Sequence, residues 1–136
     1  MINKIKIRNS IDELAKVEAL IDEIDKELNL SAELKMNIGL AVEETVSNII
    51  SYAYPEGTEA SISITAECAP HEITFVISDK GREFDPTVLA SPNIDINPAE
   101  RELGGMGIFI VKNIMNTMTY QRLDGKNLLT MKKTIK

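Results

Sequence analysis

The stretch GGMGIFIVKNIM, Gly104 to Met115, puts three of the chain's seven glycines directly ahead of an apolar run with helical spacing. Helix starts usually carry Ser, Thr, Asp or Asn as a cap. Glycines in that place either form a hinge or let something approach the backbone closely. A glycine-rich turn feeding a helix N-terminus also offers unpaired N–H groups and a favourable dipole to an anion, which makes Gly105 and Gly107 the candidate close-approach positions. The spacing is not that of a P-loop, because no Lys-Ser or Lys-Thr follows. It is not a dinucleotide fingerprint either, since no strand runs straight into it. The choice between hinge and phosphate cradle rests on the rest of the chain.

Upstream, INKIKIR alternates Ile5 and Ile7 with Lys4, Lys6 and Arg8, the pattern of a strand with one wet face. In SIDELAKVEALIDEIDKELNL the apolar positions Leu14, Val17, Leu20, Ile21, Ile24 and Leu28 have helical spacing, with Ser10 or Asp12 as cap. A second helix is predicted to start after Ser31 and to end ahead of Pro55 and Gly57. The segments EASISITAEC and ITFVISD read as two strands of a hairpin. From Lys80 to Leu103 periodicity disappears and Pro86, Pro92 and Pro98 punctuate the chain, as in a functional lid. The glycines follow, then a helix with Ile108, Val111, Met115 and Met118 on one face. Two last strands are joined at Asp124-Gly125, a strong hairpin signal. The order β-α-α-β-β-lid-α-β-β predicts an α+β fold: a two-layer sandwich whose sheet is wet on its far face.

At 136 residues the chain fits one domain with a single core. A net charge of −6 argues against nucleic acid or an anionic membrane as main partner and leaves basic partners open. One cysteine, Cys68, excludes an intrachain disulfide framework and points to a reducing compartment. With neither a signal-peptide pattern nor a stretch long enough to span a bilayer, the sequence reads as cytoplasmic.

Chemistry-bearing residues sit on the flanks of these elements. Glu44 and Asn48 are four apart on the second helix and share one face, with Asn37 and Leu40 extending the stripe. The carbonyl oxygen of an Asn is a hard neutral ligand suited to Mg²⁺, and a Glu beside it can take a proton from an attacking hydroxyl. Taken alone, the pair reads as a solvated helix face. Asp79 ends its strand with the parity of Ile73, Phe75 and Ile77, so it points toward the helices. Gly81, two residues on, leaves room for a flat ring, and a carboxylate there can accept from an exocyclic amine such as adenine's. The plain alternative is an Asp-x-Gly turn. His71, the single histidine, falls in a predicted turn, and Cys68 and the methionines Met106, Met115, Met118 and Met131 read as packing.

The order helix Glu-Asn, strand Asp-x-Gly, lid, Gly-x-Gly, helix resembles the GHKL ATPases, the gyrase, heat-shock-chaperone, histidine-kinase and MutL type. EETVSN is similar to their N box, DKGREFDP to the G1 box and its continuation, and GGMGIFIVKNIM to the G2 box. Within that superfamily the wording is nearest to the small single-domain anti-sigma-factor serine/threonine kinases of the RsbW type. The resemblance runs from the first strand to LLTMKK. It implies a Bergerat ATP-binding fold over residues 1–136, with a mixed, mostly antiparallel sheet of about five strands, three helices on one face and an ATP lid at about 80–104.

The resemblance further implies ATP or ADP with Mg²⁺ as cofactors. Glu44 becomes the general base, Asn48 the Mg²⁺ ligand, Asp79 the reader of the adenine amine with Gly81 beside the ring, and Gly105 and Gly107 the shapers of the phosphate side. Relatives often carry a Gly-Thr pair before the last strand; here the chain reads DGKNLLT, so Asn127 or Thr130 is the substitute. Arg101, just before the glycines, reads as an exposed charge that can reach a γ-phosphate. The implied activity is phosphorylation of a small anti-anti-sigma (STAS-like) antagonist in a partner-switching circuit. A nucleotide-dependent module that sequesters its partner without transfer is the alternative. The resemblance also allows a sigma factor as second partner and a homodimer.

Overall fold

In the computed structural model, residues 1–88 and 105–135 are described. Five strands form one sheet: β1 (Ile2–Arg8), β2 (Ser61–Cys68), β3 (Glu72–Asp79), β4 (Thr117–Leu123) and β5 (Lys126–Thr134). Their order is β1-β2-β3-β5-β4. Every ladder is antiparallel, so the sheet is not mixed as the resemblance implied. Among the described residues three helices cover one face: α1 (Leu14–Leu28), α2 (Ala32–Tyr52) and α3 (Gly105–Ile114). α2 packs between α1 and α3.

Strict alternation drives the layering, because period-two side chains leave opposite faces of a strand. Ile62, Ile64 and Ala66 of β2, Ile73, Phe75 and Ile77 of β3, and Met131 of β5 are sealed beneath the helices. Val17 and Ile24 of α1 and Ile38, Val42 and Val46 of α2 meet them with no exposed surface. Burying each large aliphatic side chain contributes about 1.5–3 kcal/mol, so this seam dominates the favourable side of folding. Cys68 and Met115 are buried and Met118 packs against the core, as expected of apolar filler, and His71 is exposed.

Local chemistry sets the element ends. Ser31 caps α2, its Oγ accepting from the Leu34 N–H at 3.1 Å. The β4–β5 turn has positive φ at both central residues, 52° at Asp124 and 75° at Gly125, which matches the twist of a hairpin. Two expectations fail. Neither Ser10 nor Asp12 caps α1; a 3₁₀ turn, Ile11–Glu13, precedes it, and the Ser10 hydroxyl donates to Asp12 instead. Met118 lies on β4, not on the last helix. α3 stops at Ile114, whose carbonyl accepts from Lys133 Nζ at 2.8 Å, and the Asn116 N–H already pairs with Lys132 O.

Candidate functional site

Asp79 closes β3 with its carboxyl turned into the sandwich and 5% exposed. Its Oδ1 accepts from the Gly81 N–H at 2.8 Å and from Asn127 Nδ2 at 3.1 Å. The second bond follows from register, since Asp79 on β3 stands opposite Asn127 on β5. Asn127 Nδ2 also donates to the Arg82 carbonyl at 2.8 Å. Its Oδ1 accepts from the Tyr120 hydroxyl and from Arg122 Nη1, and Arg122 reaches on to the Gly81 carbonyl at 2.8 Å. Burial pushes the Asp79 carboxyl above its ordinary value, and the Gly81 N–H, Asn127 and Arg122 oppose that push. Among the described residues no donor reaches Oδ2, which leaves one oxygen for a ligand.

Gly81 is fixed by close packing. A Cβ there would stand 2.5 Å from the Ala53 carbonyl oxygen and 2.7 Å from its Cβ, at the C-terminal end of α2. The Arg82 N–H donates to that same carbonyl at 2.9 Å. The turn after β3 is thereby fastened to α2.

Beside Asp79 lies a narrow slot with about 30 Å³ of free volume. Ile49, Ile77, Phe84, Ile108 and Leu129 give it apolar walls, and Asp79, Asn127, Thr45 and Asn48 supply polar groups. Thr45 Oγ1 is spent on the Ala41 carbonyl at 2.9 Å. Asn48 is 9% exposed, and it lines the slot.

One turn before Asn48, Glu44 is half-buried against α3. A Cβ on Gly107 would collide with Glu44 Oε2 and lie 3.7 Å from Asn48 Nδ2. The close approach at Gly107 is therefore made by α2, and the glycine brings the start of α3 down onto Glu44 and Asn48. Among the described residues no cluster of three or more His, Cys, Asp or Glu side chains forms a metal cage. The amide oxygen of Asn48 is the kind of single neutral ligand that suits Mg²⁺ held chiefly by phosphates and water.

Asn48, Asp79 and Asn127 thus line one slot, with Gly81 tied to Asp79 through its N–H and Glu44 and Gly107 adjoining Asn48. Thr130 does not join them: it pairs with Val76 and lies on the opposite face of the sheet. Gly105 opens α3. Gly104, Arg101 and the rest of the expected lid from residue 89 onward lie outside the described residues. Tyr120 and Arg122 went unnoticed in the sequence. Their only signal was position, since the Asp-Gly turn places Arg122 opposite Asn127.

The histidine kinase-like ATPase domain family matches residues 7–133. The serine/threonine-protein kinase BtrW of Bordetella bronchiseptica is 34% identical over 101 residues, which are 74% of this chain and 71% of that protein. The serine-protein kinase RsbW of Staphylococcus aureus is 32% identical over 105 residues, 71% of this chain; the match spans 64% of that protein's length. Among solved structures, the RsbU and RsbW domains of a Mycobacterium tuberculosis protein superpose with a TM-score of 0.69 at 15% identity, covering 98% of this chain and 32% of that one. The catalytic domain of the histidine kinase ThkA gives 0.57 at 14% identity, covering 98% and 97%. These last two likenesses concern the fold. With the family match spanning nearly the whole chain, the protein belongs to the histidine kinase-like ATPase domain family.

Proposed function

We propose that the protein is an ATP-dependent serine/threonine kinase acting on a small STAS-like antagonist protein in a partner-switching circuit, with a sigma factor as the partner it releases or holds. The observation that carries this reading is a run of three groups from the slot to its flank. They are the buried acceptor Asp79, the slot-lining amide of Asn48 and the half-buried carboxylate of Glu44. Kinase relatives at 34% and 32% identity support it.

Asp79 Oδ2 accepts from the adenine amine, and the apolar walls of Ile49, Ile77 and Leu129 hold the ring. Asn48 offers its amide oxygen as a metal ligand. When bound, Mg·ATP supplies the transferable phosphoryl group and the cation that offsets its charge. Glu44 takes the proton from the attacking Ser or Thr hydroxyl of the partner. Little further reactive chemistry is required of the protein, because phosphoryl transfer depends mainly on positioning and charge stabilisation.

The test pairs nucleotide-dependent unfolding with transfer of labelled phosphate from ATP to a purified STAS-like antagonist. ATP at a hundred times its Kd raises stability by about 2.7 kcal/mol. Glu44→Gln is expected to keep that increase and lose transfer. Absence of stabilisation by any nucleotide would sink the proposal. ATP-dependent capture of the antagonist with no transfer, in wild type as in the variant, would make the protein a sequestering module.

A further inference from the structure

Charge is segregated between the two layers. Residues 11–52, the helical side of α1 and α2, carry ten acidic side chains against three lysines. The outer face of the sheet has the opposite sign. The ladders place Lys6, Ser63, Ser78 and Leu128 in one row across four strands. Lys4, Thr65, Val76 and Thr130 form the next, and Glu67, Thr74 and Lys132 the row beyond. Lys4, Lys6, Lys80, Lys126 and Lys132 are all exposed. Among the described residues none of the five is in an ion pair. The acids on this face, Glu67 and Glu72, lie toward its other end. Where Lys6, Lys80 and Lys126 converge, the face is hollowed into a cleft lined by them with Ser63, Ser78 and Tyr54, and by two acids, Glu59 and Asp79, the latter with its carboxyl turned into the sandwich.

We propose that this outer face docks an acidic segment of a protein partner, whose carboxylates sit among Lys6, Lys80 and Lys126 and accept from the Ser63 and Ser78 hydroxyls. The inference does not rest on the chemistry of the nucleotide slot. Small hydroxyl side chains let an extended segment lie close to the sheet. A long polyanion fits poorly, because the length that runs past the lysines lies against a protein of net charge −6. Tyr54 is the one aromatic residue lining the cleft, and none stands in the lysine rows, too few to stack successive bases. Two copies set face to face would oppose lysine to lysine. A sheet-to-helix contact between copies would match charges but is heterologous, giving rings or open chains that sedimentation detects.

The experiment is fluorescence anisotropy of a labelled decapeptide containing six glutamates, at 150 mM NaCl, with the whole chain. Parallel arms use a dodecamer of thymidylate, phosphatidylserine vesicles and sedimentation of the protein alone. The peptide is expected to bind, and to bind about tenfold more weakly to the triple variant Lys6→Ser, Lys80→Ser, Lys126→Ser, as loss of several exposed charge pairs implies. Lys26→Ser, on α1, leaves binding unchanged, and circular dichroism melting shows that each variant folds. Amide shifts on titration fall at Ser63, Ser78 and Leu128. Equal binding by the triple variant, no peptide binding, tighter binding of the oligonucleotide or vesicles, or concentration-dependent polymers of the protein itself would overturn the proposal.

Discussion

Gly107 has no side chain because Glu44 Oε2 occupies the place its Cβ would take. The contact joins α3 to the one carboxylate on α2 that adjoins Asn48, so backbone and acid are positioned together. Gly107→Ala separates their roles. Alanine is favoured over glycine in a helix by about 1 kcal/mol. The colliding atom is the far end of a flexible side chain, so Glu44 swings aside. Urea unfolding is expected to place the variant within about 1 kcal/mol of wild type, while phosphoryl transfer falls toward that of Glu44→Gln. A displaced general base costs about 10²–10⁴-fold. Unchanged transfer with a stable fold would show that the position of Glu44 is immaterial.

Asp79→Asn should divide stability from binding. The buried carboxyl is raised above its ordinary 3.8, so its protonated form favours the folded state. That contribution is full below 3.8 and is lost as pH rises through the folded value. Near neutrality the free protein is ionised there at a cost, and Asp79→Asn is expected to be at least as stable as wild type. Its Kd for ATP rises by roughly 10–100-fold, because an amine–carboxylate bond contributes about 1.5–3 kcal/mol. In wild type, ATP affinity weakens on acidification with a midpoint above 3.8. Calorimetric titration across pH 4–8 checks both statements; ATP affinity unaltered by Asp79→Asn would remove Asp79 from the adenine contact.

The inward aim of Asp79 was readable from parity alone, because Ile73, Phe75 and Ile77 set the phase of β3. The Asp124-Gly125 turn was equally plain, since two adjacent positive φ angles demand such residues. What lay hidden is nonlocal. Asn127 reaches Asp79 across 48 residues, and only the pairing of β3 with β5 brings them together. Before that register was known, Asn127 and Thr130 were equivalent candidates, although their side chains leave opposite faces. The glycine-rich start of α3 posed the same difficulty. Its close approach was legible, but the group approached, Glu44, stands 63 residues earlier and shows only in three dimensions.

Gly81→Ala should destabilise the fold itself. Its new Cβ meets the Ala53 carbonyl at 2.5 Å and the Ala53 Cβ at 2.7 Å, and neither atom is at the end of a flexible side chain. The turn after β3 must then lift off the end of α2, taking the Arg82 N–H bond with it. Overpacking of this kind costs about 1–3 kcal/mol. Urea unfolding reads the loss as a lower Cm with unchanged slope, and ATP binding weakens as the Gly81 N–H leaves Asp79. Wild-type stability would mean that the turn yields without cost.

Glu13 gives a sign test far from the slot. It is buried at the 3₁₀ turn before α1, where its Oε1 accepts from the Arg8 backbone N–H at 2.9 Å and its carboxylate pairs with Lys16 at 3.0 Å. The Arg8 N–H first, and Lys16 second, hold its carboxyl at about 2, below the ordinary 4.5. A lowered value means stability fully present above pH 4.5 and lost as pH falls toward 2. Glu13→Gln is therefore expected to lower Cm at pH 7, with the deficit shrinking below pH 4.5 and closing near 2. Both cationic partners are largely exposed, so salt screens them, whereas the backbone bond is indifferent to salt. Most of the deficit at pH 7 should survive 1 M NaCl. A deficit abolished by salt would mean that the ion pairs, and not the tie between β1 and the helical turn, carry the effect.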